Sequence, residues 1–207
     1  MKLIGQYDSP FVRRVGITLT LYGFTFEHLP WSTFGDAEKI APLNPLRRVP
    51  TVMFDDMPAM MDSGAIIEAI DDIAGAKATL ARSGLDRRLM LRWCALAAGA
   101  ADKGVSLVYE KAFREGLPMW VERCRAQVID TLDVLDSERK GRDWFGGAAM
   151  SHADVMLATA FRFISEALDG QFDMDRWPAL LAHSERCEAM PAFRAIYQPY
   201  ELAPPSA

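Results

Sequence analysis

Residues 1–23, MKLIGQYDSPFVRRVGITLTLYG, decide how this chain begins to fold. The run KLIGQY (2–7) alternates as a short strand does, and a Ser-Pro step then opens PFVRRVGITLTLY (10–22), which reads as a helix stopped at Gly23. Ser9 stands where a helix N-cap is expected. Its oxygen accepts a first-turn N–H that has no partner inside the helix, and proline fits the first helical position. A second strand, TFEHLPW (25–31), follows, so the chain opens β-α-β. At the helix start two hydroxyls, Tyr7 and Ser9, bracket an acid, Asp8; helix capping is the local reading of that grouping, and a role in chemistry is the alternative.

Further along come a polar loop, a strand TVMF (51–54), a turn DDMP (55–58), a short strand AMM (59–61) and a helix GAIIEAIDDIA (64–74). The order β-α-β, then β-β-α, describes a small mixed sheet with helices on its faces. Composition changes near residue 75, and beyond the connector GAKATLARSG (75–84) nearly everything reads as helix. From Pro118, residues Val121, Cys124, Val128, Leu132 and Leu135 step by three or four, as do Leu157, Phe161, Ile164 and Leu168. That spacing marks the buried faces of a bundle. The expected organisation is therefore an α/β domain over 1–76, a linker over 77–85 and an all-helical domain over 86–207, ending in a short tail, APPSA (203–207).

Half of the 207 residues are apolar, enough for a packed core. The 23 basic residues are outnumbered by 28 acidic ones and are scattered, so no basic face offers itself to nucleic acid. No apolar run approaches the roughly 20 residues that span a bilayer. The start turns polar too soon for a signal peptide, and a cytoplasmic location is expected. Cys94, Cys124 and Cys187 are odd in number and far apart, the pattern of reduced core thiols. His28, His152 and His183 lack metal-ligand spacing, and no metal is expected.

Three further motifs stand out, two of them bearing on chemistry. In NPLRRVPTV (44–52), Pro50 precedes a strand and cannot donate to its ladder, so it belongs at the strand's first position or beside a turn. A cis Val49–Pro50 bond fits there and would turn the Val49 backbone N–H and C=O outward to pair with an extended peptide; an ordinary turn is the alternative. In MMDSGAII (60–67), Ser63 is the expected N-cap of the following helix. Free N–H groups and the helix dipole at such an end hold a carboxylate, and the neighbouring Asp62 suits an ammonium group. Together they would recognise an α-amino acid head group, with capping alone as the alternative. In SHADVMLA (151–158), Ser151 stands three residues before Asp154, a capping box with Asp in place of Glu or Gln, assigned to folding.

SPFVRR after the first strand, RRVPTV before the third and DSGAI after the fourth, followed by an all-helical half, resemble the serine-type glutathione transferases over essentially the whole chain. The resemblance implies a thioredoxin-like N-terminal domain, a helical C-terminal domain, and a homodimer with one glutathione site per subunit. The implied activity conjugates the glutathione thiolate to a small hydrophobic electrophile. By the same resemblance, Ser9 donates a hydrogen bond to the glutathione sulfur, with Tyr7 as runner-up, and Val49, before Pro50, pairs with the cysteinyl unit. Asp62 and Ser63 bind the γ-glutamyl end, Arg48 faces the glycyl carboxylate, and Phe11 lines the sulfur pocket or packs in the core. No cysteine lies near Ser9, unlike the cysteine-type members. Asp102, Ser106, Tyr109 and Phe113 either wall the second-substrate pocket or form an interhelical core. Two other readings stay open: a glutathione-binding partner or regulatory protein without catalysis, and a glutathione-dependent peroxidase or isomerase.

Overall fold

A computed structural model describes residues 1–201, and the APPSA tail lies outside the described residues. The first strand is shorter than its alternation suggests. β1 (Lys2–Ile4) ends where Gly5 adopts φ 127°, a conformation open to glycine. A Cβ on Gly5 would lie 2.5 Å from Val12 Cγ2 and 2.8 Å from Val49 Cβ, so the space excludes a side chain as firmly as the backbone angle does. The chain then forms α1 (Pro10–Leu21), β2 (Glu27–Leu29), α2 (Ala37–Ile40), β3 (Thr51–Met53), β4 (Met60–Met61) and α3 (Ser63–Ala74). The short α2 falls within the stretch read as a polar loop.

The sheet order is β2-β1-β3-β4. β1 runs parallel to β2 and antiparallel to β3, and β4 is antiparallel to β3. This is the small mixed sheet read from the order of elements, in the thioredoxin-like arrangement that the resemblance implies. Leu3 and Ile4 from β1, Val12 and Val15 from α1, Val52 from β3 and Ile66 and Ile70 from α3 are buried, and α1 packs against α3.

The chain divides into two compact units, one built on Met1–Thr79 and the other on Leu80–Met190. Pro191–Pro199, which the sequence boundaries place in the helical half, belong instead to the N-terminal unit. There α8 (Pro191–Ala195) packs on α1, whose Pro10 and Val12–Leu19 are all buried, Arg13 and Arg14 included.

In the helical unit, α4 (Gly84–Phe113) packs on α5 (Pro118–Arg139) and α6 (His152–Ala167), and α7 (Pro178–Glu188) packs on α5 and α6. Cys124, Val128, Leu132 and Leu135 are buried, as are Leu157, Phe161, Ile164 and Leu168. Val121, at the start of the first series, is half-buried. Cys94, Cys124 and Cys187 are buried free thiols. Among the described residues, no helix is long and apolar enough to cross a membrane.

The capping box is present at α6. Asp154 Oδ2 accepts from the Ser151 N–H and hydroxyl, both at 2.8 Å, while Oδ1 accepts from the Phe145 N–H at 2.8 Å. The fully buried carboxylate thus serves the preceding loop as well as the cap. An exposed N-cap is worth about 0.5–2 kcal/mol, and a buried group serving additional donors is worth more, because its loss strands them away from water.

Candidate functional site

Ser9 holds an extended conformation, φ −70° and ψ 123°, and its Oγ accepts from the Val12 N–H at 3.4 Å. The Ser9 N–H donates to the Gln6 carbonyl at 3.2 Å, closing a turn over Gln6–Ser9. A hydroxyl that accepts at oxygen keeps its hydrogen for donation elsewhere, so capping leaves Ser9 able to act as a donor. Tyr7 lies in this turn rather than at the end of a strand, because Gly5 has already redirected the backbone. Its ring stacks on His28 with centroids 3.8 Å apart and planes 5° from parallel. Burial pushes its phenol up to about 12, which keeps the group protonated at neutral pH. Phe11, in the first turn of α1, is half-buried.

The Val49–Pro50 bond is cis, Pro50 is buried and Val49 half-buried. Asn44, fully buried, organises the loop before it. Its Nδ2 donates to the Arg48 carbonyl at 2.9 Å and to Thr51 Oγ1 at 3.0 Å, while its Oδ1 accepts from the Leu46 N–H at 3.0 Å. Arg47, at φ 51°, pairs with Glu38 at 2.6 Å, and Arg48 is exposed.

At MMDSGAII (60–67) the structure corrects the assignment of the cap. Asp62, not Ser63, is the N-cap of α3: its Oδ1 accepts from the Gly64 N–H at 2.8 Å and the Ala65 N–H at 3.1 Å. Ser63 turns inward instead, buried, and its Oγ accepts from Arg14 Nη1 at 3.3 Å. Asp62 adopts φ 71° and ψ 118°, a strained conformation for a residue with a Cβ, of the kind that costs about 1–3 kcal/mol and clusters at ligand sites. Ser63, accepting from a guanidinium, retains its hydrogen for a carboxylate, and the start of α3 adds the positive end of a helix dipole.

The three stretches are joined through α1. Gly5 lies beneath both Val12 and Val49, which brings the helix start and the cis turn onto one point of backbone, and Arg14 links the same helix to Ser63. Asn44, Arg14 and Gly5 are therefore positioning residues that the sequence reading did not single out. An arginine in a helix segment as apolar as VRRVGITL and an asparagine six residues before the cis proline were the available signals.

In the helical unit, the Ser106 hydroxyl donates to the Asp102 carbonyl at 3.0 Å. Tyr109 and Phe113 are each 40% exposed with ring centroids 5.5 Å apart, which rules out the interhelical-core reading for these two rings. Among the described residues, no group of three or more His, Cys, Asp or Glu side chains is arranged to hold a metal ion.

Residues 3–78 match the glutathione S-transferase N-terminal domain, and residues 118–186 match the glutathione S-transferase C-terminal domain. An Escherichia coli K12 protein, the uncharacterized GST-like protein YibF, is 35% identical over 138 residues, covering 66% of this chain and 68% of its own. A probable glutathione S-transferase of Nicotiana tabacum is 30% identical over 156 residues, covering 75% of this chain and 67% of its own. A Methylobacterium radiotolerans glutathione S-transferase, crystallised with glutathione sulfonate, matches with a TM-score of 0.92 at 23% identity over 100% of this chain and 98% of that one. One from Methylobacillus flagellatus, with glutathione bound, matches with a TM-score of 0.87 at 23% identity over 94% and 98%. At that identity the two crystal structures speak to the fold alone. The two domain matches together span most of the chain in the order the fold requires, and on them the chain belongs to the glutathione S-transferase family.

Proposed function

We propose that this protein is a glutathione transferase that joins the glutathione sulfur to a small hydrophobic electrophile. The observation that carries the reading is the gathering of Ser9, Val49 and the Asp62–Ser63 pair around the first turns of α1 through Gly5 and Arg14. Glutathione offers complementary groups: an ammonium for Asp62, an α-carboxylate for Ser63 and the start of α3, and a cysteinyl backbone for Val49 beside Pro50. Its thiol is matched by Ser9 and its glycyl carboxylate by Arg48. Phe11 lines the sulfur pocket, and Ser106, Tyr109 and Phe113 contribute the apolar second-substrate wall. The fold shared with proteins crystallised with glutathione and glutathione sulfonate supports this choice of ligand.

The thiol proton passes to solvent, and the thiolate, held by the Ser9 hydroxyl, forms a sulfur–carbon bond with the electrophile; in a substitution the leaving group departs with its bonding electron pair, and in an addition the activated double bond opens and takes up a proton from solvent. A thiol of pKa about 8.5 is roughly 3% ionised at pH 7, and lowering the pKa by about two raises that roughly 25-fold. The accompanying loss of nucleophilicity, about 8-fold, leaves a net gain of about 3-fold. Most of the acceleration therefore comes from holding the two reactants together, where effective molarities are large. The reading includes a cytoplasmic homodimer and invokes no metal.

Retention on immobilised glutathione, followed by conjugation of a generic aromatic electrophile, tests the proposal. Binding with turnover is the expected result. Failure to bind at millimolar glutathione overturns it, and binding without turnover transfers the protein to the non-catalytic class. Turnover confined to peroxides or to isomerisation would assign it the corresponding glutathione-dependent reaction.

A further inference from the structure

The segment Pro191–Pro199 packs against α1 and the turn that precedes it. Arg13, 3% exposed, donates from Nε to the Ile196 carbonyl at 2.7 Å, just beyond α8, and from Nη2 to the Phe193 carbonyl at 3.1 Å, within it. Ile196 settles over Gly16: a Cβ there would lie 2.8 Å from Ile196 Cγ2 and 3.2 Å from Tyr7 Cε1. Gln198 Oε1 accepts the Tyr7 N–H at 3.3 Å. That last contact matters because β1 ends at Ile4, so the Tyr7 N–H lies outside the sheet ladder, in the turn that carries Ser9.

We propose that Pro191–Pro199 is a clasp on the glutathione site, and that Gln198 is a positioning residue which holds the Gln6–Ser9 turn and so aims the Ser9 hydroxyl. Arg13 and Gly16 anchor the clasp, and Gln198 conveys its position to the turn. The functional consequence rests on the proposed role of Ser9, whereas the clasp itself does not. Loosening the turn removes directed donation to the thiolate while leaving the groups that bind the rest of glutathione in place. The effect should therefore fall on thiol ionisation rather than on affinity.

The test uses the full chain with Gln198→Ala and Gln198→Glu. Gln198 is half-buried, so these substitutions leave the core intact, whereas removal of the buried Arg13 charge threatens folding. In Gln198→Ala, amide exchange at Tyr7, followed by NMR, should quicken about tenfold. Turnover should fall about fivefold at pH 6.5 and recover above about pH 8.5, with the KM for glutathione within about twofold of wild type. Gln198→Glu keeps an acceptor and should restore slow exchange. Unchanged Tyr7 exchange overturns the clasp, and an equal loss of turnover at every pH overturns the positioning role. If the wild-type protein binds no glutathione, the function proposed above fails and Tyr7 exchange alone decides the clasp.

Discussion

At the scale of single residues, Ser9 shows how one position serves structure and chemistry together. A serine at a helix start already sits among free N–H groups and the positive end of a dipole, the surroundings that favour an anion. Ser9→Ala should lose a cap worth about 1 kcal/mol of stability. It should also raise the pKa of bound glutathione towards the free-thiol value of about 8.5 and lower kcat/KM about threefold at pH 7, where the loss of thiolate outweighs its greater nucleophilicity. Tyr7→Phe should change little, since that ring is stacked on His28 in the turn while Ser9 stands at the helix start. Thiolate absorbance against pH reads the first effect, and equal ionisation in Ser9→Ala and wild type would sink the serine assignment. Asp62 separates its two duties in the same way. Asp62→Asn keeps the oxygen that caps α3 but loses the charge, so thermal stability should hold while the KM for glutathione rises about tenfold. An Asn variant with wild-type affinity would exclude the ammonium role.

At the scale of elements, α1 is the part on which the N-terminal unit depends. It packs on α3 and α8, starts at Ser9 and sends Arg13 and Arg14 to different neighbours. Gly16 sits in its interior without any turn to justify it, and the reason is the close approach of Ile196 and Tyr7. Gly16→Ala sets two effects against each other. Helix propensity favours alanine by up to about 1 kcal/mol, whereas forcing a methyl into a 2.8 Å gap costs about 1–3 kcal/mol. The second should win, and thermal unfolding should show a net loss of about 1 kcal/mol; a stabilised variant would mean that Ile196 gives way freely.

At the scale of the whole molecule, stability against pH should follow a buried histidine. Arg139 Nε donates to His183 Nδ1 at 3.1 Å, which places the ring proton on Nε2, 3.2 Å from the Asp154 carbonyl. Burial holds the pKa of His183 below its ordinary value; the Asp154 carboxylate opposes that shift, and the Arg139 and Arg186 charges reinforce it. The unfolded chain takes up this proton near pH 6.5 and the folded chain only at lower pH. The contribution is therefore complete above about pH 6.5 and is lost as pH falls below it, at up to about 1.4 kcal/mol per pH unit. Urea unfolding of wild type and His183→Gln between pH 7 and 5 should show this slope in the wild type only. At much lower pH, Asp133 adds a second loss of the same sign. The Arg176 guanidinium holds its carboxyl at about 2, so its contribution is present above the ordinary carboxylate range and disappears as pH falls towards that value.

Much of this was legible in the sequence because it is local. A Ser-Pro step opens a helix, a proline before a strand invites a turn, a serine three residues before an aspartate makes a capping box, and apolar spacing of three or four marks a buried helix face. Those rules involve neighbours a few residues apart, and they delivered the order of elements, the helical half, and the stretches that resemble a glutathione site. Tertiary structure decided what depends on distant partners. Ser63 turned out not to be the cap because Arg14, 49 positions away, takes its oxygen, leaving Asp62 to hold the helix start. Tyr7 left the strand because Gly5 had to make room for Val12 and Val49. Residues 191–199 joined the N-terminal unit because Arg13 donates to a carbonyl 183 positions along the chain. Periodicity and capping report a residue's surroundings only within about one or two turns, and no spacing in the sequence says which buried charge will meet which carbonyl once the chain has closed on itself.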